Sequence, residues 1–155
     1  MMKRKQLPKD LMLSEVSHML DEGRDVVILT KGQSMLPFIR GDVDSVLLRK
    51  SVSINVGDIV LAYFGGRYVL HRVVNIDGSR VTLMGDGVLQ ATEQGDIAEV
   101  SGKVVEIISP KGRHRKPTKG RLWRRLLPIR KYLLKIDRKL NKWLNKGSYT
   151  TNKYQ

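Results

Sequence analysis

The 155-residue chain contains no cysteine. Disulfides, thiolate metal centres and cysteine nucleophiles are thereby excluded, while the redox state of its compartment stays open. Histidine is scarce, with His18, His71 and His114 only, and no metal or cofactor site is read from the sequence. No uninterrupted apolar window approaches the ~18 residues of a membrane-crossing helix. Lys3, Arg4 and Lys5 open the chain with positive charge. Lys9, Asp10 and Glu15 then interrupt what would have to be an apolar core, so no cleavable signal peptide is expected. Acidic residues are the last shortage, and a local one. Residues 111–155 hold a single acid, Asp137, against 16 Lys and Arg. Residues 1–110 hold 14 acids against 13 bases. The net charge of +14 therefore belongs to a tail, and the body is almost neutral.

With 41% apolar residues, that body can bury a core and is not a disordered chain. Residues 8–22 read as a short amphipathic helix, with Leu11, Met12, Val16, Met19 and Leu20 at helical spacing and Gly23 as its stop. The period then changes. Val26–Leu29, Ser45–Leu48, Ile59–Phe64, Tyr68–Val74, Arg80–Met84 and Gly102–Ile108 are short runs rich in β-branched residues. Gly41-Asp42, Gly57-Asp58, Gly65-Gly66 and Asp77-Gly78 punctuate them, the last two as hairpin turns. Six short strands so spaced predict a mainly β domain of antiparallel hairpins over residues 25–109, after an N-terminal helical segment, 1–24.

Residues 110–120 are rich in Lys, Arg, Pro and Gly without apolar periodicity, and read as a basic linker. Beyond it Leu122, Leu126, Ile129, Leu133, Ile136, Leu140 and Leu144 recur at steps of three and four. Trp123, Leu127 and Trp143 widen the stripe, and Lys and Arg fill the other positions. This predicts a basic amphipathic helix over 121–146, kinked or restarted at Pro128, and a disordered end over 147–155.

Two residues carry candidate chemistry. His71 lies inside the strand Tyr68-Val-Leu-His-Arg-Val-Val74, where alternation sets it with Val69 and Val73 and sets Arg72 with Leu70 and Val74. Taken alone, such a histidine is more often a satisfied core residue than a catalyst. Ser34 lies in Gly32-Gln-Ser-Met-Leu-Pro37, a loop able to present its hydroxyl, although taken alone it is better explained as a simple turn serine. Serine attacks a carbonyl only when a base within hydrogen-bond reach takes its proton. Spacing alone does not bring His71 to Ser34.

The ordered set Gly32-Gln-Ser34-Met35-Leu-Pro37, Gly41-Asp42, Gly57-Asp58-Ile-Val60, Val69-Leu-His71-Arg72-Val73 and Gly85-Asp86 resembles the type I signal peptidase/LexA-like serine peptidase superfamily. The resemblance covers residues 25–108 and implies a β-domain of coiled antiparallel sheets. Bacterial members use a Ser-Lys dyad; the base position here carries His71, as in the histidine-using branch of the endoplasmic reticulum and archaea. The resemblance makes Ser34 the nucleophile, its own N–H part of the oxyanion hole, His71 the general base and Asp86 the supporting carboxylate. Where the endoplasmic-reticulum branch continues with asparagines and a further aspartate, this chain reads Gly85-Asp-Gly-Val-Leu-Gln90, so Glu93 and Asp96 stay as alternatives. Asp42 and Asp58 read as turn formers.

The expected function is therefore a serine endopeptidase that cuts leader or signal-type peptides at a membrane surface. An anionic membrane is the expected partner of the C-terminal helix, and an exporter or partner protein is a further one. Nucleic acid is the least favoured occupant, because phosphates reward cations but need no apolar stripe. The expected location is cytoplasmic, peripheral to the inner face of the membrane. A non-catalytic interaction module of the same fold is the main alternative. A LexA-like self-cleaving regulator fits less well, since no Ala-Gly pair is present and the segment before the β-domain is short.

Overall fold

The computed structural model describes residues 9–88, 90–126 and 129–148. Residues 1–119 form one compact unit and residues 120–155 a second.

In the first unit, helix α1 (Lys9–Asp21) precedes eight strands: β1 (Val26–Leu29), β2 (Ser45–Arg49), β3 (Ile59–Phe64), β4 (Arg67–Asp77), β5 (Arg80–Met84), β6 (Glu93–Asp96), β7 (Val100–Ile108) and β8 (His114–Arg115). All pairings are antiparallel. The order across the sheet is β1-β2-β7-β3-β4-β5-β6, with β8 added to β7. Gly65 and Gly66, both at positive φ, close the β3–β4 hairpin, and Gly78 sits in the β4–β5 turn.

Two apolar clusters occupy opposite faces of this sheet. On one, Leu13, Val16 and Leu20 of α1 pack on Val46, Leu48, Ile59, Leu61, Val104 and Ile107. On the other, Val60, Ala62, Phe64, Val69, Val73, Val81, Leu83 and Val100 pack together. Strand β3 contributes to both, which is why its sequence is a continuous apolar run rather than an alternation. Breaks in register at Leu47/Leu48, Leu61/Ala62 and Val73/Asn75 bend the strands locally, as bulges do. The expected mainly β fold is the fold found.

The six expected strands are present, some longer by a residue or more. Two strands escape the sequence pattern. β6 reads Glu-Gln-Gly-Asp, an edge strand with little burial, and β8 lies within the segment expected to be a structureless linker. That segment is held to the body: Arg115 Nη2 donates to the Phe38 carbonyl at 2.6 Å, and Lys119 Nζ bonds Asp58.

The second unit contains α2 (Arg121–Arg125) and α3 (Arg130–Ser148), where one helix over 121–146 was expected. Leu127 and Pro128, the expected break, lie outside the described residues, as do 149–155 of the expected disordered end; residues 147–148 belong to α3. No helix among the described residues is long and apolar enough to cross a membrane.

Candidate active site

The loop between β1 and β2 carries Ser34, and its two ends are tied together. Thr30 N–H and its hydroxyl both donate to the Asp44 carbonyl, at 3.1 and 2.8 Å. Asp42 N–H returns to the Thr30 carbonyl at 2.7 Å. Asp44 is fully buried and accepts from Arg40 N–H and Nη2, each at 2.9 Å. A Cβ on Gly41 would stand 1.6 Å from the Gly32 carbonyl oxygen, so only glycine permits this crossing. The Gly-Asp element at 41–42 thus closes the base of the serine loop. The second such element, at 57–58, is also a turn: Asp58 accepts Asn55 N–H at 2.9 Å.

The loop packs on a third Gly-Asp element. Gly87 N–H donates to the Ser34 carbonyl at 2.8 Å. A Cβ on Gly85 would lie 2.4 Å from that same oxygen and 3.2 Å from Cδ2 of His71. Glycine is needed there because the serine loop and the histidine ring converge on one point. Ser34, His71 and Glu93 line a single cleft of about 360 Å3, floored by Met35, Ile39 and Leu61 and walled by α1 and β1. Among the described residues no hydrogen bond joins Ser34 Oγ to the ring.

The carboxylate beside His71 is Glu93. In the β4–β5–β6 ladder Val73 pairs with Leu83, and Leu83 with Glu93. Glu93 therefore shares a face with Val73 and, two residues along β4, with His71. Its Oε2 lies 2.8 Å from His71 Nδ1. A carboxylate only accepts, so Nδ1 carries the proton and donates it, which leaves Nε2 as the ring's acceptor. Oε1 of Glu93 accepts from Arg67 Nη2 at 3.2 Å.

Asp86, the carboxylate expected to support His71, is directed elsewhere. Its two oxygens accept from Nε and Nη2 of Arg72, both at 2.7 Å, on the opposite face of β4. Arg72 is fully buried. Its Nη1 donates to the Gly57 carbonyl at 2.8 Å and the Thr118 carbonyl at 2.6 Å, and its guanidinium stands 5.1 Å over the Phe38 ring. The pair joins the histidine strand, the Gly85–Gly87 turn, the serine loop and the segment after β8. Asp96, the other alternative, caps the short 3-10 turn Ile97–Glu99 by accepting Ala98 N–H at 2.8 Å. Of the remaining histidines, His18 is exposed, and His114 bonds Glu106 at 2.7 Å on the surface.

Within residues 4–105 the chain matches the Peptidase S24-like family. It belongs to that family. The fold and the family agree with the LexA/signal peptidase I superfamily resemblance carried by the Ser34, His71 and Gly-Asp motifs. A comparison with curated proteins found no match. Among the described residues no group of three or more His, Asp or Glu side chains could hold a metal ion.

Proposed function

We propose that this Peptidase S24-like protein is a serine endopeptidase that cuts leader or signal-type peptides at a membrane surface, with Ser34 as nucleophile, His71 as general base and Glu93 as the carboxylate that orients the ring. The observation carrying this reading is the His71 Nδ1–Glu93 bond of 2.8 Å, made beside the serine loop. It leaves Nε2 of the neutral ring as the acceptor of a proton, in the cleft that Ser34 also lines. Hydrogen bonds between nucleophile and base are often open without substrate and close in its complex.

The steps follow. Ser34 Oγ attacks the scissile carbonyl carbon while His71 Nε2 takes its proton, and the Ser34 N–H donates to the developing oxyanion. Collapse breaks the C–N bond as the imidazolium returns its proton to the leaving amine. Water, deprotonated by the same nitrogen, then hydrolyses the acyl-enzyme. Glu93 keeps the tautomer and stabilises the imidazolium, and Arg67 on its other oxygen holds the carboxylate in place. A peptide substrate suits the cleft because β1, which lines it through Ile28 and Leu29, ends the strand order. An extended chain adds to such an edge through main-chain hydrogen bonds.

Ser34→Ala and His71→Ala should each slow cleavage of a precursor carrying a signal-type segment by roughly a thousandfold or more, followed by mass spectrometry of the products. Equal cleavage by wild type and both variants removes the assignment.

A further inference from the structure

The C-terminal helix carries two kinds of surface that the peptidase chemistry does not use. Ile129, Tyr132, Ile136, Leu140, Trp143 and Leu144 recur at steps of three and four, and each is between 47% and 72% exposed. At about 100° per residue these side chains fall within roughly one third of the helix circumference. Lys131, Lys135, Arg138, Lys139 and Lys142 occupy the arc beside and opposite them. Arg130 and Leu134, which are buried, lie on a third arc, with Arg130 stacked over Trp123 at 5.3 Å. Leu133, on the same arc as the stripe, is half-buried, while the other six side chains are exposed. The helix is thus apolar on one exposed side and cationic on the next.

We propose that α3 is a lipid-binding helix that lies in the plane of an anionic bilayer surface. The stripe would enter the acyl boundary, with Trp143 and Tyr132 at headgroup depth, while the flanking cations meet acidic headgroups. Charge complementarity decides the occupant. Residues 121–148 hold ten Lys and Arg against Asp137 alone, net +9. Asp137 is half-buried on the arc of Arg130 and accepts from Asn141 at 3.2 Å, so it turns away from the lipid side. Lys and Arg stems are long enough to cover apolar surface while their charged ends reach the headgroups. The helix lies on the bilayer and does not span it, because its cations interrupt every apolar window. A nucleic acid would engage the cations and leave Ile136, Leu140 and Trp143 in water, without reward.

The proposal rests on α3 and gives the membrane setting of the peptidase its physical contact. The covalent link between the two is short. Thr118 and Lys119 are bonded to Arg72 and Asp58 of the body, and α2 begins at Arg121.

The test is co-sedimentation of the full chain with vesicles of phosphatidylglycerol and phosphatidylcholine, against vesicles of phosphatidylcholine alone. Binding to the anionic vesicles and not to the neutral ones is expected. A Lys135→Gln/Lys139→Gln/Lys142→Gln variant should lower the partition coefficient roughly a hundredfold. An Ile136→Gln/Leu140→Gln variant should lower it by roughly fiftyfold. All five positions are exposed, and far-UV circular dichroism checks that both variants fold. Absence of binding to anionic vesicles overturns the proposal. So does vesicle binding indifferent to the apolar pair, tighter binding to a short DNA duplex that the apolar pair leaves intact, or self-association by light scattering that the apolar pair abolishes. Ser34→Ala should bind vesicles like the wild type, so loss of peptidase activity and loss of lipid binding are read separately.

Discussion

Adjacent residues of one strand, His71 and Arg72, each take a carboxylate, and burial separates the two pairs. Arg72 and Asp86 are almost completely withdrawn from water, where stranding one member of an ion pair costs about 3–5 kcal/mol. Asp86→Ala should therefore lower the urea midpoint strongly, with activity lost only as the fold is lost. Glu93 sits at the cleft, partly open to solvent and shared between His71 and Arg67. Glu93→Gln should cost about 1–2 kcal/mol of stability and lower kcat by roughly one hundredfold or more, through the wrong tautomer of the ring. The reverse pattern, with Asp86 variants stable but inactive and Glu93 variants active, would return the supporting role to Asp86. Sequence made Asp86 the first choice because it follows a glycine in a recognisable motif. Glu93 has no motif around it. Its place follows from the pairing of β6 with β5, and a strand reading Glu-Gln-Gly-Asp offers no pattern from which that pairing could be read.

At the scale of elements, the strands legible in the sequence are those written as apolar, β-branched runs: β1, β3 and β5 have the bounds expected from those runs. β6 and β8 are edge additions, made by backbone hydrogen bonds that any sequence can supply. The corner where α1 meets β1 and β2 carries two exposed ion pairs. Lys50 hydrogen-bonds Asp21 and Arg49 hydrogen-bonds Asp25, and both carboxyls are held below the ordinary aspartate range by these contacts. Each group with a lowered folded-state pKa adds stability that is complete above its unfolded-state pKa. That contribution is lost as the pH falls through the lowered value. Asp25→Asn should thus be slightly less stable than wild type at neutral pH, and the difference should vanish in strong acid. A difference that persists in strong acid, read from denaturant midpoints, would assign the effect to packing instead.

For the whole molecule, composition divides the chain near residue 110, where the excess charge begins, whereas contacts divide it after Lys119. The intervening residues supply Arg115 to Asp44, Lys119 to Asp58 and the Thr118 carbonyl to Arg72. A chain ending at Lys119 should melt within a few degrees of full length. One ending at Pro110 strands a donor of the buried Arg72, a loss of about 1.5–3 kcal/mol, and should melt roughly 5–10 °C lower. Equal melting temperatures for the two truncations would show that the segment adds nothing to the body.

What the sequence determined by itself was the mainly β domain, the asymmetry of charge and the basic amphipathic C-terminal segment. Each is written in local period, composition or motif. What only the tertiary structure decided was which carboxylate reaches His71, where the body ends, and that the apolar stripe of α3 stays exposed. These depend on strand order, on hydrogen bonds between residues far apart in the chain and on which arc of a helix is covered. No local pattern encodes them.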